Sequence, residues 1–139
     1  MNLKKKKLTQ EEQTRLEKAA KEAVKKAYAP YSKFRVGAAV LTEKGGIFTG
    51  CNVENTSFSL TICAERAAIF AAVAKEGAKM KIKAIAITSE GAGFCSPCGA
   101  CRQVIWEFGP KAIIIYQGHN GIVETTAARM LPEGFSYNE

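Results

Sequence analysis

The sequence predicts one α/β domain of three layers, in which helices cover both faces of a central mixed sheet of five strands. Two observations support this fold class. Helical and strand patterns alternate along the 139 residues, and two pairs of strand patterns are joined by short turns. The composition, 47% hydrophobic and 24% charged, is that of an ordinary globular domain. No apolar run approaches the roughly twenty residues that a membrane span needs, so we expect no membrane association.

A basic run at the N-terminus, Lys4 to Lys7, accounts for most of the net charge of +7. Without it, sixteen basic residues face thirteen acidic ones, a net charge of +3 with no basic stripe for a nucleic-acid backbone. The run is not followed by the apolar segment of a secretory signal. We therefore expect a disordered tail over 1–8, a single domain over 9–139, a cytoplasmic location and no nucleic-acid partner.

The first part of the domain is predicted to be a helix followed by a hairpin. Thr9 and Glu12 form a capping box, and apolar residues recur at helical spacing from there to about Tyr28. Apolar residues then predict one strand over 36–41 and a second over 47–51. The Glu-Lys-Gly-Gly turn between them predicts an antiparallel pair.

The remaining predicted elements are a helix over 62–76, a strand over 82–88, a helix over 97–108, a strand over 112–116, a short strand at 122–123 and a short helix over 125–131. Thr61 and Ser96 are the predicted N-caps of the two longer helices. Strands two, three and four alternate with these helices, which predicts parallel strands with right-handed crossovers. Both helices then begin at the carboxyl edge of the sheet, where α/β proteins bind ligands.

Three cysteines lie at these helix starts: Cys63 at the first, Cys98 and Cys101 at the second. The Cys-x-x-Cys spacing can share one zinc ion, and three sulfur ligands leave the fourth position open for water, as in catalytic sites. A thioredoxin-like redox pair and a fragment of a structural four-cysteine site are the alternatives. Glu65 is placed to move protons at such a site without being a ligand.

Two segments around these residues resemble the zinc motifs of the small homotetrameric cytidine deaminases of pyrimidine salvage. They are Cys-Ala-Glu-Arg over 63–66 and Pro-Cys-Gly-Ala-Cys-Arg-Gln over 97–103. Phe-Arg-Val-Gly-Ala-Ala over 34–39 and Cys-Asn-Val-Glu-Asn over 51–55 are similar to the family's substrate-side segments. The resemblance extends over about residues 28 to 135 and implies the fold of that family.

The resemblance implies that Cys63, Cys98 and Cys101 bind one Zn²⁺ per subunit and that Glu65 carries the protons, an arrangement known for zinc deaminases. Three thiolates leave the zinc site with a net charge of −1. We expect the N-termini of the two helices and Arg66, which follows Glu65, to offset this charge.

The resemblance also implies a set of substrate-binding residues. Asn52 and Glu54 are expected to bind a ribose hydroxyl, Phe34 to pack beside the pyrimidine ring, and Ala64 to contact the substrate. Phe135 resembles a C-terminal aromatic residue that enters the site of a neighbouring subunit, so the expected assembly is a homotetramer with shared active sites.

The expected activity of the domain is hydrolytic deamination of cytidine and 2′-deoxycytidine to uridine and 2′-deoxyuridine, with release of ammonia. Two alternatives stay open: a deaminase of nucleic acids or antibiotic nucleosides, and a non-catalytic interaction domain stabilised by zinc. We expect Cys51 and Cys95 to be buried or loop residues, His119 to be a surface residue, and Trp106 to lie in the core or in a subunit interface.

Overall fold

The computed structural model describes residues 7–137 of the chain, so most of the predicted basic tail lies outside the described residues. The strands are β1 (Val36–Thr42), β2 (Ile47–Cys51), β3 (Ile82–Ser89), β4 (Ile113–Gly118) and β5 (Gly121–Thr126). The α-helices are α1 (Gln10–Val24), α2 (Ala64–Glu76), α3 (Gly99–Phe108) and α4 (Ala127–Met130). Among the described residues, no helix has both the length and the apolar character needed to cross a bilayer.

The five strands form one mixed sheet in the order β2-β1-β3-β4-β5. β1 pairs antiparallel with β2 and with β3, β3 pairs parallel with β4, and β4 pairs antiparallel with β5. Consequently β2, β3 and β4 run in the same direction, as predicted, although β1 lies between β2 and β3. The α/β class and the mixed five-stranded sheet are confirmed.

Each face of the sheet carries its own hydrophobic cluster, which produces the three layers. On one face, Leu16 and Ala20 of α1 pack against small and branched residues of β1, β3 and β4. On the other face, Ala68 and Ile69 of α2 and Ile105 of α3 pack against the opposite side of the same strands. The central strands are therefore buried on both faces, as expected for parallel strands between helices.

Gly37 in β1 allows α1 to lie directly on the sheet. A Cβ atom at this position would stand 2.3 Å from the carbonyl oxygen of Ala20 and 2.6 Å from the backbone nitrogen of Val24. Helix α1 begins at the predicted Thr9–Glu12 capping box but ends at Val24. It stops short of Tyr28 because that residue forms a parallel bridge with Val53.

The predicted N-caps of α2 and α3 are wrong by two residues each, because cysteines occupy the N-cap positions of both helices. Cys63 is the N-cap residue of α2, without a side-chain capping hydrogen bond, since Ile62 is held in an antiparallel bridge with Val53 and cannot join the helix. Cys98 caps α3, and its sulfur accepts a hydrogen bond from the backbone nitrogen of Cys101 at 3.4 Å. Two sulfur atoms therefore lie at the positive ends of two helices.

The end of the chain also differs from the prediction. β5 continues to Thr126 because Thr125 and Thr126 pair with Ile114 and Ile113 of β4. Helix α4 therefore begins at Ala127, where the Thr126 side chain caps it by accepting a hydrogen bond from the backbone nitrogen of Arg129. Two short 3₁₀ turns, Phe58–Leu60 and Glu90–Ala92, were not predicted.

Candidate active site

The N-termini of α2 and α3 bring three cysteine sulfur atoms together at one edge of the sheet. The sulfur atoms of Cys63, Cys98 and Cys101 all lie within 4.8 Å of one another, and those of Cys63 and Cys98 are 3.9 Å apart. Tetrahedral coordination with Zn–S bonds of about 2.3 Å places sulfurs about 3.8 Å apart. The donor set, three soft sulfur ligands at zinc-like spacing, fits Zn²⁺.

Arg66 lies against this cluster and supplies positive charge to it. Its Nη2 donates a hydrogen bond to the Cys63 sulfur at 3.4 Å. A hydrogen bond from the Cys101 thiol, together with the Arg66 guanidinium, lowers the pKa of Cys63 to about 5. The same hydrogen bond raises the pKa of Cys101, because that thiol is the donor. Metal ligation needs all three thiolates, so binding of the ion releases the remaining protons.

Glu65 is the carboxylate of the site. It lies in the first turn of α2 and only 5% of it is exposed. Burial raises the pKa of Glu65 to about 7. A carboxyl group with this pKa can both accept and donate a proton near neutral pH, which is the property needed for general acid–base catalysis.

A cavity of about 240 Å³ opens directly in front of these groups. Seven residues of the predicted site line it together: Phe34, Asn52, Glu54, Cys63, Ala64, Glu65 and Cys98. Six residues for which the sequence predicted no role in the site complete the lining: Ser32, Val36, Thr61, Ile87, Cys95 and Ser96. Sequence patterns carried no signal for most of these, because they reach the cavity through loops.

Asn52 and Glu54 hold the loop that carries Phe34. The Asn52 side chain accepts a hydrogen bond from the Val36 backbone nitrogen at 2.8 Å and donates one to the Phe34 carbonyl oxygen at 2.7 Å. Glu54 Oε1 accepts hydrogen bonds from the backbone nitrogens of Tyr31 and Ser32 at 2.9 and 3.1 Å. A hydrogen bond with the Ser32 side chain is the main reason why the pKa of Glu54 is lowered, and the two backbone hydrogen bonds lower it further.

Phe135 does not line the cavity of its own chain. Its side chain is 70% exposed, and it belongs to a C-terminal segment that lies along α3. Gln103 Nε2 donates to the Phe135 carbonyl oxygen at 3.1 Å, and Trp106 Nε1 donates to Ser136 Oγ at 3.0 Å. Gly134 packs flat on Trp106, since a Cβ there would be 2.7 Å from the indole ring. Trp106 is therefore half-buried beneath this segment.

The other cysteines and the histidine stand apart from the sulfur cluster. Cys51 is half-buried at the end of β2. Cys95 is buried and donates to the Ile87 carbonyl oxygen at 3.6 Å. His119 is exposed and stacks on Phe94 with ring centroids 3.9 Å apart. Within residues 7–137, the three-cysteine cluster is the only group of three or more potential metal ligands, so a four-cysteine structural site is not formed.

Comparison with known proteins agrees with this geometry. The sequence profile described as "Cytidine and deoxycytidylate deaminase zinc-binding region" matches residues 10–117, which include the whole sulfur cluster, Arg66 and Glu65. The chain belongs to this family. The match assigns the Cys-x-x-Cys motif to a zinc-binding deaminase domain and not to a thioredoxin-like redox pair. The cofactor of this domain is Zn²⁺.

Several members of the deaminase family are similar to the chain over most of its length. The cytidine deaminase of Sporosarcina psychrophila is 50% identical over 119 residues, covering 84% of this chain and 86% of that protein. The probable cytidine deaminase of Dictyostelium discoideum is 43% identical over 133 residues, covering 95% and 89% respectively. The crystal structure of cytidine deaminase from Burkholderia pseudomallei superimposes with a TM-score of 0.82 at 45% identity, covering 92% of this chain and 100% of that one.

Proposed function

We propose that this protein is a cytidine deaminase, which hydrolyses cytidine and 2′-deoxycytidine to uridine and 2′-deoxyuridine and releases ammonia. The observation that supports it best is the position of Glu65, a buried carboxyl group with a raised pKa in the same cavity as the zinc-fitting sulfurs. Family membership and the similarity to cytidine deaminases over most of both chains support the substrate.

Cys63, Cys98 and Cys101 would hold the ion. Bound zinc supplies a Lewis acid that lowers the pKa of water. Glu65 accepts the proton of the attacking water and passes it to N3 of the cytosine ring while C4 becomes tetrahedral. Glu65 then transfers the second proton of the same water to the 4-amino group, which leaves as ammonia. One water is therefore consumed for each ammonia released.

The cavity lining supports a free nucleoside as the substrate. Phe34 offers an aromatic face for the pyrimidine ring. Ala64, a small buried residue beside Glu65, leaves room for that ring. Asn52 and Glu54 supply an amide and a carboxylate for the ribose hydroxyls. Such hydrogen bonds to a sugar are general recognition chemistry for polar ligands in small concave sites.

We further propose a homotetramer in which Phe135 enters the site of a neighbouring subunit. The exposed ring of Phe135, which residues 7–137 leave 70% exposed, supports this assignment. A single catalytic domain over 9–139, a cytoplasmic location and a role in pyrimidine salvage complete the proposal. We propose no membrane or nucleic-acid partner, since the charge outside Lys4 to Lys7 is close to balanced.

The ultraviolet change on mixing zinc-loaded protein with cytidine tests the activity, with Glu65→Gln as the site variant. Glu65→Gln keeps the shape of the side chain and leaves the sulfurs intact, so it should bind one zinc ion. Its turnover should fall by about 10²- to 10⁴-fold, the usual contribution of a general acid–base. Glu107→Gln on the exposed surface of α3 is the matched control and should keep full activity.

A single-stranded oligonucleotide containing cytosine is assayed in parallel. Deamination of cytidine but not of the oligonucleotide supports the nucleoside reaction. Deamination of the oligonucleotide but not of cytidine would overturn it in favour of a nucleic-acid deaminase. Protein that binds zinc, unfolds on chelation and turns over neither substrate would instead be an interaction domain stabilised by the metal.

A further inference from the structure

We propose that Asn52 is a positioning residue, whose side-chain amide holds the Phe34–Val36 backbone so that the Phe34 ring forms a wall of the active-site cavity. This inference rests on the proposed function for the identity of the substrate. It goes beyond a ribose contact, because it assigns to the amide a task inside the chain itself.

The orientation of the amide follows from its two partners. Oδ1 faces the Val36 N–H at 2.8 Å, and Nδ2 faces the Phe34 carbonyl oxygen at 2.7 Å. A flipped amide would set donor against donor and acceptor against acceptor, so both hydrogen bonds fix the same orientation. Both distances are short for N–H···O bonds, which indicates a tight clamp on two successive peptide units.

The backbone of Asn52 strengthens this clamp. Its N–H donates to the Val36 carbonyl oxygen at 3.1 Å, and its carbonyl oxygen accepts from the Tyr28 N–H at 3.0 Å. Asn52 therefore contacts the loop at Tyr28, Phe34 and Val36. A side chain tied at both ends of its amide is held in one rotamer and transmits its position to the segment it binds.

The loop needs such an anchor because its backbone makes a sharp turn immediately before Phe34. Lys33 has φ of 61°, in the left-handed region that residues with side chains seldom adopt. Ser32 Oγ accepts a hydrogen bond from the Phe34 N–H at 3.0 Å and supports the turn from the other side. Phe34 itself is 41% exposed, so packing alone does not fix its ring.

Amide hydrogen exchange measured by NMR provides a test that does not depend on turnover. In Asn52→Ala the Val36 N–H loses its acceptor and should exchange at least about tenfold faster. Asn52→Asp keeps that acceptor and should retain protection at Val36, although it loses the donor to Phe34. The Val40 amide in the same strand serves as the internal reference and should be unchanged in both variants. Unchanged exchange at Val36 in Asn52→Ala would overturn the clamp.

A double-mutant cycle between Asn52 and Phe34 tests the consequence for catalysis. Phe34→Ala should lower kcat/KM for cytidine by about tenfold or more in the wild-type background, and by less than about threefold when Asn52 is already Ala. Multiplicative effects of the two substitutions would overturn the positioning role and leave a direct ribose contact. Asn120→Ala, in the exposed turn before β5, is the matched control for loss of an amide and should not couple to Phe34.

The two proposals fail in different ways. If the wild-type protein does not deaminate cytidine, the proposed function fails, whereas the exchange experiment still decides whether Asn52 holds the loop. If cytidine is deaminated but Val36 exchange does not respond to Asn52→Ala, the function stands and the positioning role is wrong.

Discussion

Arg66 is the side chain that offsets part of the negative charge of the three cysteine thiolates. Three thiolates around Zn²⁺ carry a net charge of −1, which makes the ion a weaker Lewis acid than one held by neutral histidines. The N-termini of α2 and α3 each contribute about half a positive charge, and the Arg66 guanidinium donates to the Cys63 sulfur at 3.4 Å. The Cys63 thiolate in turn raises the pKa of Arg66, so this cation is permanent.

We expect Arg66→Ala to keep most of its zinc but to lose about 10- to 100-fold in kcat, the usual effect of removing a group that orients or tunes metal ligands. Metal analysis of the purified variant and steady-state kinetics with cytidine are the two measurements. Arg15→Ala, which removes an exposed arginine of α1, is the control and should match the wild type. A variant with unchanged kcat would show that the helix termini alone offset the thiolate charge.

At the scale of elements, one ion pair joins α1 to the sheet. Glu12 Oε2 accepts a hydrogen bond from Lys83 Nζ of β3 at 2.8 Å, and both side chains are about one-quarter exposed. This hydrogen bond with Lys83 is the main reason why the pKa of Glu12 is lowered. A carboxylate whose pKa is lower in the folded state stabilises the protein above its unfolded pKa, and the contribution disappears as pH falls through the folded pKa.

Glu12→Gln should therefore lower the free energy of unfolding at pH 7 by about 0.5 to 1 kcal/mol, and the difference from wild type should vanish well below pH 4.5. Glutamine keeps the capping box with Thr9, and Glu11→Gln removes a charge from the same first turn, so the loss in excess of that control reports chiefly the ion pair. Denaturant unfolding at a series of pH values measures it, with Glu11→Gln on the exposed side of the helix as the control. A loss of the same size at every pH would contradict the ion-pair origin.

Sequence patterns predicted the elements better than their ends, for a physical reason. The strands and helices follow from local periodicity, which is present in the sequence itself. The starts of α2 and α3 depend instead on contacts between distant segments: the Val53–Ile62 bridge keeps Ile62 out of α2. At α3, the Cys98 sulfur takes the capping role that Ser96 was predicted to have, because it can accept the Cys101 N–H.

At the scale of the whole molecule, the metal site could be predicted from local spacing and strand order, whereas the substrate site depends on contacts between distant segments. Cys98 and Cys101 are one helical turn apart, so their proximity could be predicted from spacing, and the β-α-β-α-β order predicted that Cys63 would join them. The clamp of Asn52 on Phe34 spans 18 residues and requires the loop before β1 to fold back beside the end of β2. No local pattern encodes that return, so only the structure reveals it.

The C-terminal segment extends this reasoning beyond one chain. Gln103 and Trp106 hold Phe135 and Ser136 against α3, while Phe135 does not line the cavity of its own chain and is 70% exposed. The segment that carries Phe135 is therefore held against α3, the helix that begins at Cys98. The described part of the chain has no pocket for the Phe135 side chain. In a closed symmetric assembly, each such ring would be presented to a neighbouring site.

Complementation between two variants of lowered activity tests this shared site. Phe135→Ala should lower kcat/KM by about tenfold or more, since it removes the proposed aromatic contact with the neighbouring site, and Glu65→Gln should be nearly inactive. When the two variants are unfolded together and refolded as mixed assemblies, a site that takes Glu65 from one chain and Phe135 from its neighbour is intact. Random mixing in equal amounts restores about one-quarter of the wild-type sites, because each of two independent choices is correct half the time. If Phe135 acted within its own chain, no mixed site would contain both residues, and the mixture would show only the average of the two variants.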